Sequence, residues 1–212
     1  KLTTKMPIWL AKTRADFDRL LDEQLGRLGT EHVDFYLLHS MSLAEWKRLE
    51  ALGVVEWAQG AMASGRIGRL GFSSHDTAES IKAILDAYDA WALCQIQYNY
   101  MDAVAEPGTE CLKYIASKGV AAVIMEPLRG GSLVDPPDAI ARVWDGAARK
   151  RTAADWGLQW LWSQAEVSLV LSGMSTMRQV EENLASADAS RVGLLTDDEL
   201  ALFAEVRSIY QS

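Results

Sequence analysis

The stretch Val33-Asp34-Phe35-Tyr36-Leu37-Leu38-His39 decides the fold of this chain. It is a short apolar run, and its length and its aromatic and β-branched residues favour a buried strand over a helix. In barrels and doubly wound sheets, side chains at the carboxyl end of such a strand face the ligand. The pattern therefore predicts His39 at the mouth of a site. The alternative is a core histidine that is hydrogen-bonded to a backbone carbonyl.

The composition is typical of a globular cytoplasmic protein. The chain has 212 residues, of which 49% are hydrophobic and 24% are charged, with a net charge of -8. The basic residues are scattered, which argues against nucleic acid as a partner. The sequence contains neither a long apolar run nor a secretory leader pattern, so we expect no membrane partner. The two cysteines, Cys94 and Cys111, are far apart and are interpreted as reduced packing residues, with no metal site.

Strands and helices alternate along the chain. Further apolar strands are predicted at 1–5, within 65–76, and at 93–98, 120–125 and 167–171. The helices between them begin at capping patterns: Thr13 with Asp16, Ser42 with Glu45, Asp76 with Glu79, Thr152 with Asp155, and Thr196 with Glu199. This order predicts a parallel sheet covered by helices in a single domain, 1–212. Six strands suit an open doubly wound sheet, whereas a closed barrel needs eight.

Polar or glycine-rich segments follow the predicted strands. Because the carboxyl ends of parallel strands share one face, the site is expected there. The Gly130-Gly131 loop and the Gly173-Met174-Ser175 segment could offer backbone N–H groups to phosphates. The sequence lacks a Gly-x-Gly-x-x-Gly motif, a P-loop lysine motif and a Gly-x-Ser-x-Gly elbow, which weakens the Rossmann, nucleoside-triphosphatase and hydrolase alternatives. Asp76, next to His75, is interpreted as a helix cap.

In these residues the chain resembles the aldo-keto reductase superfamily. The matching pieces are Thr4-Lys5, Asp34-x-x-x-Leu38-His39, Gly71-Phe72-Ser73, Gln95-x-x-Tyr98-Asn99, Pro127-Leu128-x-Gly130-Gly131 and Glu182-Asn183. Three longer motifs, at 71–76, 125–131 and 172–175, are similar to those of a branch that usually carries a C-terminal ferredoxin-like iron–sulfur segment. The resemblance implies an α/β fold, the (β/α)8 TIM barrel, with roughly six βα units present and the first two missing. The chain is therefore expected to be a partial barrel that lacks an N-terminal barrel segment and the iron–sulfur segment.

The resemblance implies an oxidoreductase that transfers a hydride between NADP(H) and a small-molecule carbonyl or alcohol. The family's catalytic lysine and histidine match Lys5 and His39. A buried ammonium lowers the pKa of a tyrosine that protonates the carbonyl oxygen, while the histidine orients that carbonyl. The family's tyrosine and aspartate lie on the two missing units. The sequence does not predict the oligomeric state.

The cofactor contacts that the resemblance implies fall into three groups. Ser73, Ser74 and Gln95 match positions that hold the nicotinamide carboxamide, although many members have asparagine in place of Ser74. Met125 matches the position that stacks on the nicotinamide. The remaining matches are Pro127, Leu128, Gly130 and Gly131 at the pyrophosphate, and Gly173, Met174, Ser175, Gln179, Glu182 and Asn183 at the adenosine end. Many members place a lysine or arginine near the 2′-phosphate, and Arg178 is the nearest candidate here. The resemblance itself implies NADP(H), and NAD(H) is possible. Clusters of the 4Fe–4S type are expected only with a further C-terminal segment.

Three alternatives remain open. The protein could be a non-catalytic, nicotinamide-binding redox sensor or regulatory subunit. It could be an inactive fragment that lacks the catalytic tyrosine and aspartate. It could also be a phosphate-binding barrel isomerase that uses Lys5 for Schiff-base or proton-transfer chemistry, but that reading gives no role to Ser73, Gln95 or Glu182.

Overall fold

The structure, a computed structural model, describes residues 1–105 and 107–211, which group into two compact units. The first unit comprises Lys1–Ile96 and Glu110–Ala122, and the second comprises Gln97–Thr109 and Val123–Ser212. The expectation of a single partial barrel domain over 1–212 stays a prediction.

Six described strands form one sheet whose order follows the chain, β1-β2-β3-β4-β5-β6. They are β1 (Thr3–Met6), β2 (Val33–Leu38), β3 (Ile67–Ser74), β4 (Leu93–Gln97), β5 (Ala121–Met125) and β6 (Val167–Val170). In the first unit, β1, β2, β3 and β4 pair in parallel. All six strands lie where the apolar runs predicted them, within one or two residues at the ends.

Helices separate the strands, as the capping patterns predicted. They are α1 (Ala15–Leu28), α2 (Leu43–Ala51), α3 (Val54–Ala63), α4 (Ala78–Ala87), α5 (Gly108–Ser117), α6 (Asp138–Gly146), α7 (Ala153–Trp162), α8 (Met177–Asp188) and α9 (Asp197–Gln211). Short 3-10 turns follow β1 (Ile8–Leu10) and β5 (Arg129–Gly131). This alternation of parallel strands with helices is the predicted α/β class.

Most of the predicted helix caps are confirmed. The hydroxyl oxygens of Ser42, Thr152 and Thr196 accept hydrogen bonds from the backbone N–H three residues later, at 3.1–3.2 Å. These bonds satisfy donors that have no partner inside the helix. The sequence analysis missed a further capping box at the start of α8, between Thr176 and Gln179.

Two predicted caps are wrong by one residue. Thr77, rather than Asp76, caps α4 and accepts from the N–H of Ser80. The Asp76 carboxylate instead accepts from the N–H of Thr77 and from the hydroxyl of Ser80. At α1 the N-cap position is Arg14, whose side chain makes no capping hydrogen bond to the helix. Thr13 lies one residue earlier and donates to the Asp16 carboxylate, so the chain turns before the helix begins.

The first unit has a fully buried row of side chains on one side of its four strands. Met6, Leu38, Phe72 and Cys94 form one register row and are all fully buried. Cys94 and Cys111 are both buried and are not joined in a disulfide, which agrees with their predicted packing role. Burial raises the pKa of the Cys94 thiol, so this cysteine is held in its unreactive protonated form.

The second unit is built on an aromatic core. Trp144 stacks on Trp156 with ring centroids 5.2 Å apart, and Phe203 packs edge-on against Trp144 at 5.1 Å. The buried guanidinium of Arg151 lies over the Trp156 ring at 4.4 Å and donates to Glu199 at 2.7 Å. Together these contacts fix the starts of α7 and α9 to each other, because a buried charge must keep its partner.

Candidate functional site

The strand register of the first unit places the predicted catalytic side chains on one side of the sheet. Lys5 pairs with Leu37, two residues before His39, and Ser73 pairs with Gln95. Leu37 in turn pairs with Gly71, two residues before Ser73. Because successive side chains of a strand alternate between the two faces, Lys5, His39, Ser73 and Gln95 share the face opposite the buried row. The four residues come from four different strands or strand ends, β1 to β4.

Lys5 is half-buried near the end of β1. Its backbone carbonyl accepts a hydrogen bond of 2.7 Å from the amide of Gln24, which ties the strand end to α1. Burial lowers the pKa of the Lys5 ammonium below the usual lysine value. A lysine of this kind can influence a neighbouring proton donor, since its charge is only partly screened by water.

His39 follows β2, and its backbone N–H donates to the Met6 carbonyl at 3.1 Å. Burial lowers the pKa of the imidazole, and the positive charge of Lys5 lowers it further. The ring is therefore neutral near pH 7 and can donate one hydrogen bond. The next residue, Ser40, has a positive φ of 57°, a conformation that is uncommon outside glycine and often occurs at functional sites.

Trp9 was not among the predicted site residues. It lies in the turn after β1, half exposed, with its ring centroid 5.3 Å from that of His39. The only signal in the sequence was an aromatic residue soon after a strand end. Its contact with His39 arises from the pairing of β1 with β2, so the local pattern did not reveal it.

The two predicted serine contacts already have partners within the first unit. The Ser73 hydroxyl oxygen accepts from the N–H of Ser40 at 2.9 Å. Ser74 is fully buried; its hydroxyl donates to the Met41 carbonyl at 2.7 Å and accepts from the N–H of Asp76 at 3.1 Å. Ser74 thus braces the loop after β2 against the loop after β3. Its cofactor contact stays a prediction, as do those of Ser73 and of the buried Gln95.

We expect Ser74→Ala to act mainly on stability. The substitution leaves the buried Met41 carbonyl and the partly buried Asp76 N–H without their partner, which costs about 1–3 kcal/mol. The midpoint of urea unfolding should fall accordingly, while cofactor affinity changes by less than about threefold, or 0.65 kcal/mol. Ser117→Ala, at an exposed hydroxyl in α5, is the control. A loss of cofactor affinity with unchanged stability would instead favour a direct contact.

The second unit contains a pocket of about 660 Å³. It is lined by all eleven of the cofactor residues predicted in this part of the chain: Met125, Pro127, Leu128, Gly130, Gly131, Gly173, Met174, Ser175, Gln179, Glu182 and Asn183. The sequence analysis did not assign the other lining residues, Glu126, Val134, Ala154, Leu171 and Ser172. Glu126 and Ser172 lie inside motifs that had been noted, whereas Val134 and Ala154 gave no signal. That these residues bind a cofactor stays a prediction.

The loop after β5 has an unusual backbone. Gly130 and Gly131 have φ values of 65° and 94°, and Glu126 and Arg129 also have positive φ. A Cβ built on Gly131 would meet no atom within 4 Å, so glycine is needed there for its conformation and not for space. Non-glycine residues with positive φ, such as Glu126 and Arg129, are strained, and such residues cluster at ligand sites.

The opposite wall of the pocket is the start of α8. The side-chain oxygen of Gln179 accepts from the N–H groups of Ser175 and Thr176, at 2.8 and 3.1 Å. Gln179 therefore has a capping role beside its predicted cofactor role. The N–H groups of Gly173 and Met174 have no hydrogen-bond partner within the described part of the chain. Asn183 donates to the Ser172 hydroxyl at 3.0 Å.

Among 1–105 and 107–211, no three His, Cys, Asp or Glu side chains are grouped so that they could hold a metal ion. Over the same residues, no helix has the length and hydropathy needed to cross a membrane.

Comparison with known proteins gives one consistent result. A family model described as the aldo/keto reductase family matches residues 1–207. A protein of Schizosaccharomyces pombe, named as an uncharacterized oxidoreductase, is 25% identical over 166 residues, which is 77% of this chain and 50% of that protein. This chain thus spans about half the length of the curated relative it matches.

Two solved structures are similar in fold. The holo form of an aldo-keto reductase from Bacillus halodurans has a TM-score of 0.77 at 22% identity, covering 96% of this chain and 70% of that one. An aldo/keto reductase from Klebsiella pneumoniae, solved in complex with NADP and acetate, has a TM-score of 0.74 at 24% identity, covering 97% and 69%. The predicted fold class, that of the (β/α)8 reductases, is confirmed. The predicted relation to an iron–sulfur branch stays a prediction.

Proposed function

Because this chain belongs to the aldo/keto reductase family, we propose that the protein is an oxidoreductase that transfers a hydride between NADP(H) and a small-molecule carbonyl or alcohol. The observation that carries the proposal is the pocket of the second unit, in which all the cofactor residues predicted for that unit line one cavity. The NADP in the Klebsiella pneumoniae structure supports this choice of cofactor.

The second unit fits part of a dinucleotide. Its pocket of about 660 Å³ lies within the range of about 300–1,000 Å³ that is usual for ligand sites. The left-handed loop at Gly130 and Gly131 exposes backbone on one wall. On the other wall, the N–H groups of Gly173 and Met174 can each donate to an acceptor atom of the adenosine half. Pro127, Leu128 and Met125 supply apolar surface beside these donors.

The first unit supplies groups for a carbonyl. The neutral imidazole of His39 can donate a hydrogen bond to a carbonyl oxygen and so fix its orientation. The half-buried ammonium of Lys5 favours negative charge nearby, either on that oxygen or on the conjugate base of a proton donor. A bound nicotinamide supplies or accepts the hydride. We assign the proton donor to no residue of this chain.

Substitution of Gly131 tests the pocket. In Gly131→Ala the left-handed conformation becomes strained by about 1–2 kcal/mol, so the loop shifts and NADPH affinity should fall about five- to thirtyfold. The affinity is measured by quenching of tryptophan fluorescence on the full-length polypeptide. Gly193→Ala is the matched control, since Gly193 has a φ of 68°, an open Cβ direction and a place outside the pocket.

Gln95→Leu extends the same test to the first unit. The substitution removes the amide that the proposal assigns to the nicotinamide, so NADPH affinity should again fall by about tenfold. If both Gly131→Ala and Gln95→Leu bind NADPH as tightly as the unmodified protein does, the site assignment is wrong.

A further inference from the structure

The pocket of the second unit is acidic. Among its described lining residues the only ionisable side chains are Glu126 and Glu182, and neither lysine nor arginine lines it. The 2′-phosphate that distinguishes NADP(H) from NAD(H) is a phosphomonoester with a charge of about -1.5 to -2 at pH 7. Binding such a group tightly requires charge-assisted hydrogen bonds, usually from arginine or lysine.

The nearest cation on α8 is already paired. The Nε atom of Arg178 donates to the Glu182 carboxylate at 2.7 Å, and the Arg178 side chain is 83% exposed. The net charge of this pair is zero, and Glu182 raises the pKa of Arg178. Arg129 lies on the opposite loop, which the resemblance assigns to the pyrophosphate, and its nearest carboxylate is Asp102 at 3.7 Å.

The backbone donors beside Arg178 are also occupied. The N–H groups of Ser175 and Thr176, at the start of α8, both donate to Gln179. A phosphate at this position would have to displace the Gln179 side chain from these two N–H groups. A ribose hydroxyl can bind without displacing Gln179, because it can donate a hydrogen bond to a carboxylate such as that of Glu182. Acidic residues hold the 2′-hydroxyl of NAD in the same way in other nucleotide-binding folds.

From this charge distribution we infer that the pocket has no dedicated 2′-phosphate site and that Glu182 selects against that phosphate. The protein therefore binds NAD(H) at least as tightly as NADP(H) and uses either cofactor. The inference rests on the proposed function, since it concerns which form of the dinucleotide the same pocket prefers.

The test compares NADH and NADPH on the full-length polypeptide by isothermal titration calorimetry. NADH should bind no more weakly than NADPH. In Glu182→Gln, which removes a carboxylate and frees Arg178, NADPH affinity should rise relative to NADH affinity by about three- to tenfold. Glu181→Gln is the matched control, because Glu181 is exposed on the same helix but does not line the pocket. Its affinity ratio should not change.

Other outcomes separate this inference from the proposed function. If NADPH binds more tightly than NADH, or if Glu182→Gln lowers the relative affinity for NADPH, the inference is overturned and the proposed function stands. If neither dinucleotide binds, both fail. The fragments 5′-AMP and adenosine 2′,5′-bisphosphate report on the adenosine end alone, and tighter binding of the bisphosphate would also contradict the inference.

Discussion

Lys5→Met should lower turnover by about a thousandfold, within the range of 10²–10⁴ that general acid–base groups contribute. Methionine keeps much of the length and apolar surface of the lysine stem but removes the ammonium. In the proposed reaction this ammonium stabilises charge only as the carbonyl oxygen becomes negative. The loss should therefore fall on kcat, with KM for the cofactor changed by less than about threefold.

The control for this variant is Lys12→Met, an exposed lysine in the same unit whose loss should leave turnover unchanged. Turnover of Lys5→Met within tenfold of the unmodified protein would remove Lys5 from the mechanism. If the unmodified protein binds the cofactor but shows no turnover with any carbonyl, the regulatory-subunit alternative becomes the better account.

The pH profile of turnover offers an independent check on Lys5. The proposed role requires the protonated ammonium, and burial lowers the Lys5 pKa. As far as Lys5 is concerned, turnover should be highest at low pH, where its ammonium is protonated. It should fall as the pH rises through the Lys5 pKa, which lies below the ordinary lysine value of about 10.4. The residual turnover of Lys5→Met should not show this decline at alkaline pH.

The second large effect is expected from Gly68→Ala. A Cβ at this position in β3 would lie 2.5 Å from the backbone carbonyl oxygen of Asp34 in β2. The backbone oxygen is held by the sheet and cannot move aside as a flexible side chain would. The strands must separate, at a cost of about 2–3 kcal/mol in the free energy of unfolding. Because β2 and β3 carry His39 and Ser73, turnover should fall together with stability.

Urea unfolding of the full-length polypeptide measures this loss of stability. Gly60→Ala is the matched control, because Gly60 lies within α3 and an added Cβ meets no atom within 4 Å. Since alanine is favoured in a helix, this change should stabilise the protein by up to about 1 kcal/mol. An equally stable Gly68→Ala variant would show that β2 and β3 can separate without cost.

The elements of this fold were largely predictable because each strand and helix carries a local signal. The apolar run at Val33–Leu38 and the caps at Ser42 and Thr152 depend only on neighbouring residues. The caps at Thr13 and Asp76 were misplaced by one residue, because several polar residues in a row can each cap and the backbone path decides between them.

The residues of the candidate site were predicted in large part, but several of their contacts were not. The eleven pocket residues came from the family resemblance, and folding brings them to one cavity. The bracing role of Ser74, the contact of Trp9 with His39 and the pairing of Gln179 with its helix start were not predicted. The first two depend on strands meeting across the sheet. The third was hidden because the resemblance had already assigned Gln179 to the cofactor.

Transfer of deuterium tests the central claim most directly. The full-length polypeptide is incubated with reduced nicotinamide cofactor that carries deuterium at both C4 positions and with a panel of aldehydes and ketones, and the alcohols are analysed by mass spectrometry. The proposed function predicts alcohol with one deuterium on the former carbonyl carbon, formed far more slowly by Lys5→Met. Cofactor that binds but is never oxidised, or alcohol that forms without deuterium, would contradict it.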